Sequence, residues 1–200
     1  MSLYTLMLFV HVSGAVCLFI GFGIWLFGIT AIARAARVEQ VRTLADLMLM
    51  TRMVVPISAF LVIAAGLTMA LTAWGLQTGW IAVALGGLGI IGPTGVWVID
   101  PRVHGITSLA HSSPDGPLPA ALAARTRDRV LRTALHTMIA MLFGIIFLMT
   151  TKPALDGALI ALGVSAVLGA AVSLSLWRGG TGEQADSGDN LTDSGSAHRS

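Results

Sequence analysis

The chain has 200 residues, 55% of them hydrophobic and 11% charged, with a single cysteine and a formal charge of +2. That balance leaves too little polar surface for a soluble domain and too few thiols for a disulfide scaffold, so it points to one polytopic membrane domain. Its basic residues flank apolar stretches, which makes anionic headgroups their nearer partner and argues against nucleic acid.

Five stretches free of Asp, Glu, Lys and Arg are long enough to cross a hydrocarbon core of ~30 Å, which takes ~20 helical residues. They are Leu3–Ala33, Met53–Trp74, Trp80–Ile99, Ala134–Thr151 and Gly157–Trp177. Threading the chain through them puts eleven of its twelve basic residues, all arginines, on one side and only Lys152 on the other. Arginine-rich flanks stay cytoplasmic, which predicts an all-α bundle of five transmembrane helices with the amino terminus outside and the carboxyl terminus in the cytoplasm. Eleven Arg to one Lys, with abundant Ala and Gly, is the usage of a GC-rich bacterial genome. The inner membrane of a bacterium is therefore the expected location.

The first span carries no basic residue ahead of it and is too long for a cleaved signal peptide. At 1.5 Å per residue it is roughly 46 Å long, so it must tilt or protrude towards Arg34 and Arg37. Cys17 is expected to pack as a small hydrophobe. His11 lies eight residues into this span, in its outer part, and is the sharpest polar feature of the membrane interior. A neutral imidazole there can ligate haem iron or another metal, or can bond a carbonyl of a neighbouring helix. Residues Val38, Val41, Ala45 and Met48 then recur at helical spacing, with Arg42, Thr43 and Asp46 elsewhere on the wheel. This predicts an amphipathic connector along the inner surface.

The second span meets Pro56 early and ends at Trp74, an interfacial position. The third is crowded with Gly86, Gly87, Gly89, Gly92, Pro93 and Gly95. Glycine lets helices approach closely in lipid, so Gly86, Gly89, Gly92 and Pro93 predict a central packing helix, with a homo-oligomer contact as a further use. Gly87-Leu-Gly89-Ile-Ile-Gly92 matches a dinucleotide-binding spacing by letter, but no strand precedes it. Asp100-Pro101 predicts the end of that span and a Ser-, Pro- and Gly-rich loop to about Pro119. A helix start at Pro119 would then align Arg125, Arg129 and Arg132 on one face, where their guanidinium groups reach lipid phosphate. Lys152-Pro153 ends the fourth span. The fifth presents Ser165, Gly169 and Ser173 as a small-residue stripe. Residues 1–178 thus form the transmembrane domain, and 179–200 a polar, acidic tail with too little apolar surface to fold.

No paired catalytic carboxylates, nucleophile elbow or phosphate loop is present. His104, His111 and His136 on the cytoplasmic side lack the i, i+4 spacing by which one helix presents paired metal ligands, and read as surface histidines. These features favour a non-catalytic accessory or assembly subunit whose inner face binds a membrane-complex partner or anionic lipid. A haem- or metal-binding redox protein using His11 is the alternative.

The segment Leu8-Phe9-Val10-His11-Val12-Ser13-Gly14 followed by Gly21, with Met149-Thr150-Thr151-Lys152-Pro153 closing the fourth span, resembles a bacterial family of predicted integral membrane proteins of unknown function. His11 with Gly21 ten residues on is also similar to the first helix of the membrane-embedded protoporphyrinogen oxidases and copper-resistance membrane proteins. The oxidase resemblance implies a haem at His11. Gly14 and Gly21 share a face with His11, which would leave room for a planar macrocycle. Leu18 stands where those helices carry tryptophan, and the oxidases' intramembrane lysine has no counterpart.

Overall fold

The computed structural model describes the backbone of residues 2–193 and side chains as far as Ser175. Among the described residues it is helical without strands. The helices are α1 (Leu3–Arg34), α2 (Val38–Met50), α3 (Val54–Met69), α4 (Gly79–Thr94), α5 (Asp100–Ser112), α6 (Ala120–Thr126), α7 (Arg129–Thr151) and α8 (Leu155–Asp193). Single π-helical turns, Ala70–Trp74 and Gly95–Ile99, extend α3 and join α4 to α5. Five helical stretches are long and apolar enough to span a membrane: Leu3–Arg34, Val38–Trp74, Gly79–Ser112, Ala120–Thr151 and Leu155–Ser175. The backbone of α8 runs into the segment expected as a polar tail, whose last residues, 194–200, lie outside the described part.

Two helical hairpins set the packing. In lipid, helices associate through close contact of small residues rather than through expulsion of water. α1 and α3 meet at glycines: a Cβ on Gly14 would lie 3.1 Å from Val62 Cγ2, and one on Gly21 only 2.8 Å from Val55 Cγ2. α7 and α8 meet at Gly144, where a Cβ would lie 2.6 Å from Ser165 Oγ, and at Gly169, where it would lie 2.6 Å from the Thr137 backbone. Ser173 and Thr133 complete that seam with a hydroxyl–hydroxyl bond of 3.0 Å. The Ser165, Gly169 and Ser173 stripe therefore faces α7.

The centre of the bundle is α7, not the glycine-rich third span. α7 packs against α8, α4 and α1, and its span has 39% of its most apolar window buried, against 17–28% for the other four. α4 joins it through Gly87, whose missing side chain admits Leu162 and Ile145. Gly86, Gly89 and Gly92 have no atom within 4 Å of a built Cβ and lie on the exposed face. The expectation that these three pack the chain together is corrected: within one molecule Gly87 makes the close contact, and Gly95 a looser one with Met138. The remaining seams close with Phe19 edge-on to Phe143, ring centroids 5.0 Å apart. At the end of the bundle away from the arginine layer Trp80 stands edge-on to Trp74, and Lys152 Nζ lies 4.1 Å from the Trp74 ring centroid, a cation–π contact. Cys17 lies on an exposed face of α1 rather than packing inside.

On the arginine side the helices fold into a second, compact layer. The apolar stripe of α2, Val38, Val41, Ala45 and Met48, is at most 1% exposed, covered by α1 and α5. The protein itself, not the membrane surface, buries the amphipathic connector. The surplus length of α1 has the same use: Ile29 and Ile32 are buried there. The chain after Asp100 is not a loop but α5, with Val103, Ile106 and Ala110 buried at helical spacing. The Gly95–Ile99 π turn precedes Pro101, which sits in the first turn of α5, where a missing N–H costs nothing. The true loop is residues 113–119.

Candidate functional site

His11 sits on the α1 face that packs against α3. Its Nδ1 is 2.8 Å from the Val62 carbonyl oxygen, and the ring lies over Gly66, where a Cβ would come within 3.0 Å of Cε1. A carbonyl only accepts, so Nδ1 carries the proton and donates. In the neutral ring the lone pair then belongs to Nε2. That is the tautomer by which a metal-binding histidine is commonly oriented. The same structure closes the space expected for a macrocycle, because Val62 fills the gap at Gly14 and Val55 fills the gap at Gly21. One imidazole nitrogen, Nε2, thus keeps its lone pair. A flat haem does not fit on the Gly14–Gly21 face.

The arginine side is built as an interlocked network. Arg42, half-buried on α2, donates to the Asp115 carboxylate at 2.8 Å and to the carbonyls of Ser113 at 2.9 Å and Ala110 at 3.2 Å, which cap the end of α5. Glu39 accepts from Arg37 Nε and, at 3.2 Å, from the Gly116 amide. The Arg37 hydrogen bond first, then backbone hydrogen bonds, hold the Glu39 carboxyl at about 2 against an ordinary 4.5. A lowered folded value contributes stability above the unfolded pKa and loses it as pH falls from about 4.5 towards 2. Backbone bonds from Val38 to the Gly116 carbonyl (3.0 Å) and from Leu118 to the Ala36 carbonyl (3.3 Å) complete the clasp between the start of α2 and the 113–119 loop.

Three further pairs reach between elements. Asp100 bonds Arg52 at 3.2 Å, Asp128 bonds Arg102 at 3.2 Å, and Asp46 lies 3.2 Å from His111 Nε2. Of the five carboxylates between residues 34 and 133, Glu39, Asp100, Asp115 and Asp128 are thus paired with an arginine, and Asp46 lies beside His111.

The histidines of this side do not converge. His104 is exposed on α5, His111 bonds the Thr107 carbonyl as well as facing Asp46, and His136 bonds the Arg132 carbonyl at 2.7 Å. Among the described residues no group of three or more His, Cys, Asp or Glu is placed to hold a metal. Arg125, Arg129 and Arg132 do not share one helix face, because the chain breaks at Arg127–Asp128. Arg125 ends α6 with Nη1 against Gly105 of α5, while Arg129 and Arg132 belong to α7. Asp128 makes the break by capping α7, accepting from the Val130 amide at 2.8 Å and the Leu131 amide at 3.3 Å. An Asp directly ahead of an apolar helical run was the sequence signal for it.

Spans of this length, glycine-mediated seams and a basic layer on one side define a multi-pass helical membrane protein. The chain matches the family model described as predicted integral membrane protein (DUF2269) over residues 5–153, and it belongs to that family. The match ends just before α8. No curated protein and no solved structure matches the chain.

Proposed function

We propose that this protein is a non-catalytic accessory or assembly subunit of the bacterial inner membrane, with its arginine-rich layer in the cytoplasm. The observation that carries the reading is that the carboxylates between residues 34 and 133 are all engaged with side chains or backbone of the layer itself. Side chains that could exchange protons with a substrate instead tie α2, α5, the 113–119 loop and α7 into one platform. Nine arginines against five carboxylates leave that layer positive, which suits an acidic partner surface or anionic headgroups reached by Arg125, Arg129 and Arg132. Homo-oligomerisation through the open α4 face, with Gly86, Gly89 and Gly92 at its centre, is the assembly that the small residues allow.

A second reading rests on the orientation of His11, whose Nε2 is left for a metal ion, or for a haem iron approached from outside the filled Gly14–Gly21 face. One preparation separates the two. Extracted from haem-replete cells into native nanodiscs, the protein is expected to be colourless and to run as a stoichiometric complex with itself or with another membrane protein. A lone protomer with a Soret band that disappears in His11→Ala and survives His104→Ala would overturn the accessory role in favour of the second reading.

Orientation is tested separately. In a Cys17→Ser background, Gln77→Cys in the outer turn should label with an impermeant thiol reagent in intact cells, and Ser112→Cys should label only after lysis. The reverse pattern would invert the topology.

A further inference from the structure

Two adjoining depressions lie where α2 crosses the arginine-side half of α1. One, about 460 Å³, is walled by apolar side chains, among them Phe27, Leu44 and Met48, and by Gly23 and Gly28. It shares Ala31 and Leu44 with the other, about 570 Å³, whose walls include Arg34, Gln40 and Thr43. The result is one continuous groove, greasy along most of its length and polar at the end nearer the chain's basic layer.

Glycine shapes it in two ways. At Gly28 a Cβ would lie 2.7 Å from Met48 Sδ, so its absence lets α2 close on α1 and form the wall. At Gly23 nothing lies within 4 Å of a built Cβ, so the groove is open there. From Ile20, where the apolar part begins, to Ala31 is roughly 16 Å of helix, and Arg34 is roughly 4.5 Å further, so the groove runs lengthwise along α1 and ends at a cation.

Charge selects the headgroup. Arg34 makes no ion pair among the described residues, and no carboxylate lines either depression. The acids of α2 are engaged elsewhere, Glu39 with Arg37 and Gly116 and Asp46 with His111. Gln40 accepts the Ala36 amide at 3.0 Å through its carbonyl oxygen, which leaves its amide nitrogen to donate outward.

We propose that this groove holds one anionic phospholipid from the leaflet on the arginine side, an acyl chain lying past Gly23 and Gly28 and the phosphate held by Arg34. This site is separate from the Arg125, Arg129 and Arg132 surface. It requires only that the chain span a bilayer, and it stands or falls independently of the assembly role.

Native mass spectrometry of the full chain, released from nanodiscs of equimolar phosphatidylcholine and phosphatidylglycerol, tests it. Wild type should retain one phospholipid, with phosphatidylglycerol favoured about fivefold, the preference one arginine near a membrane surface confers. Gly23→Leu, at a position where a built Cβ has nothing within 4 Å, projects a side chain into the groove and should abolish retention while leaving the melting temperature in lipid-free detergent unchanged. Arg34→Gln should retain a lipid but lose the preference. Excess glycerol phosphate should not displace the lipid. The proposal is overturned if wild type retains no phospholipid, or if Gly23→Leu retains as much as wild type. It is equally overturned if glycerol phosphate empties the site, or if Gly23→Leu dissociates a dimer with the lipid count unchanged, which would make a second copy the occupant.

Discussion

Gly169→Ala should sharply lower the thermal stability of the detergent-purified protein. The added methyl would stand 2.6 Å from Thr137 Cα, 2.8 Å from Ala140 Cβ and 2.8 Å from the His136 carbonyl oxygen. Two of those three atoms are backbone, so no rotamer change relieves the clash and α8 must move away from α7. Overpacking of a filled contact costs about 1–3 kcal/mol, and this contact lies between the central helix and its principal neighbour. The control is an equal change where space is open. Within one protomer Gly86→Ala and Gly89→Ala meet nothing within 4 Å, and in detergent that separates protomers removing a helical glycine should leave stability unchanged or raise it by about 0.5–1 kcal/mol. Melting followed by tryptophan fluorescence measures all three. A loss at Gly89 as large as that at Gly169 would mean that α4 packs on a second molecule in the preparation.

That contrast marks where the sequence was legible and where it was not. The spans could be read because a stretch without charge longer than ~17 residues has few alternatives. The buried stripe of α2 could be read residue by residue, since its neighbours on the wheel are charged and the two faces differ in polarity. Inside the membrane that difference vanishes. Gly87 and Gly89 are equally apolar to the eye, and only the three-dimensional arrangement shows that one receives Leu162 while the other faces outward. Proline misled in a different way. Pro101 reads as a helix stop, yet a π turn ahead of it places the ring in a first helical turn, and the Val103, Ile106, Ala110 spacing that signalled α5 was there to be weighed against it. The partner of His11 was out of reach, because Val62 lies 51 residues away and offers only a backbone carbonyl. The Arg34 groove was hidden for the same reason. Nothing in the order of residues says that Met48 settles onto Gly28.

Arg42 should prove the least replaceable charge on the arginine side. Its guanidinium reaches three acceptors, the Asp115 carboxylate and the carbonyls of Ala110 and Ser113. The carbonyls lie at the C-terminal end of α5, where helix groups lack internal partners and a cation is favoured. Arg42 therefore closes the end of one helix, fixes the loop that follows it and ties both to α2. Removing it leaves those acceptors without their donor at a site where the side chain is only 28% exposed. The lost hydrogen bonding involves a charged donor, which predicts a cost of about 1.5–3 kcal/mol for Arg42→Ala. Arg42→Lys should recover less than half of it, because a single ammonium cannot reach on both sides as the planar fork does, with Nη1 on Asp115 and Nη2 on the two carbonyls. Arg37→Ala, whose partner Glu39 keeps its bond from the Gly116 amide at a more exposed position, should cost well under half as much. Hydrogen–deuterium exchange distinguishes a local from a general effect. In Arg42→Ala the amides at the end of α5 and in the 113–119 loop should exchange faster, while those of the α1–α3 and α7–α8 seams keep wild-type protection. Uniform loss of protection would show that the platform and the membrane bundle unfold as one unit, whereas unchanged exchange would show that the apolar stripe of α2 alone holds α5 in place.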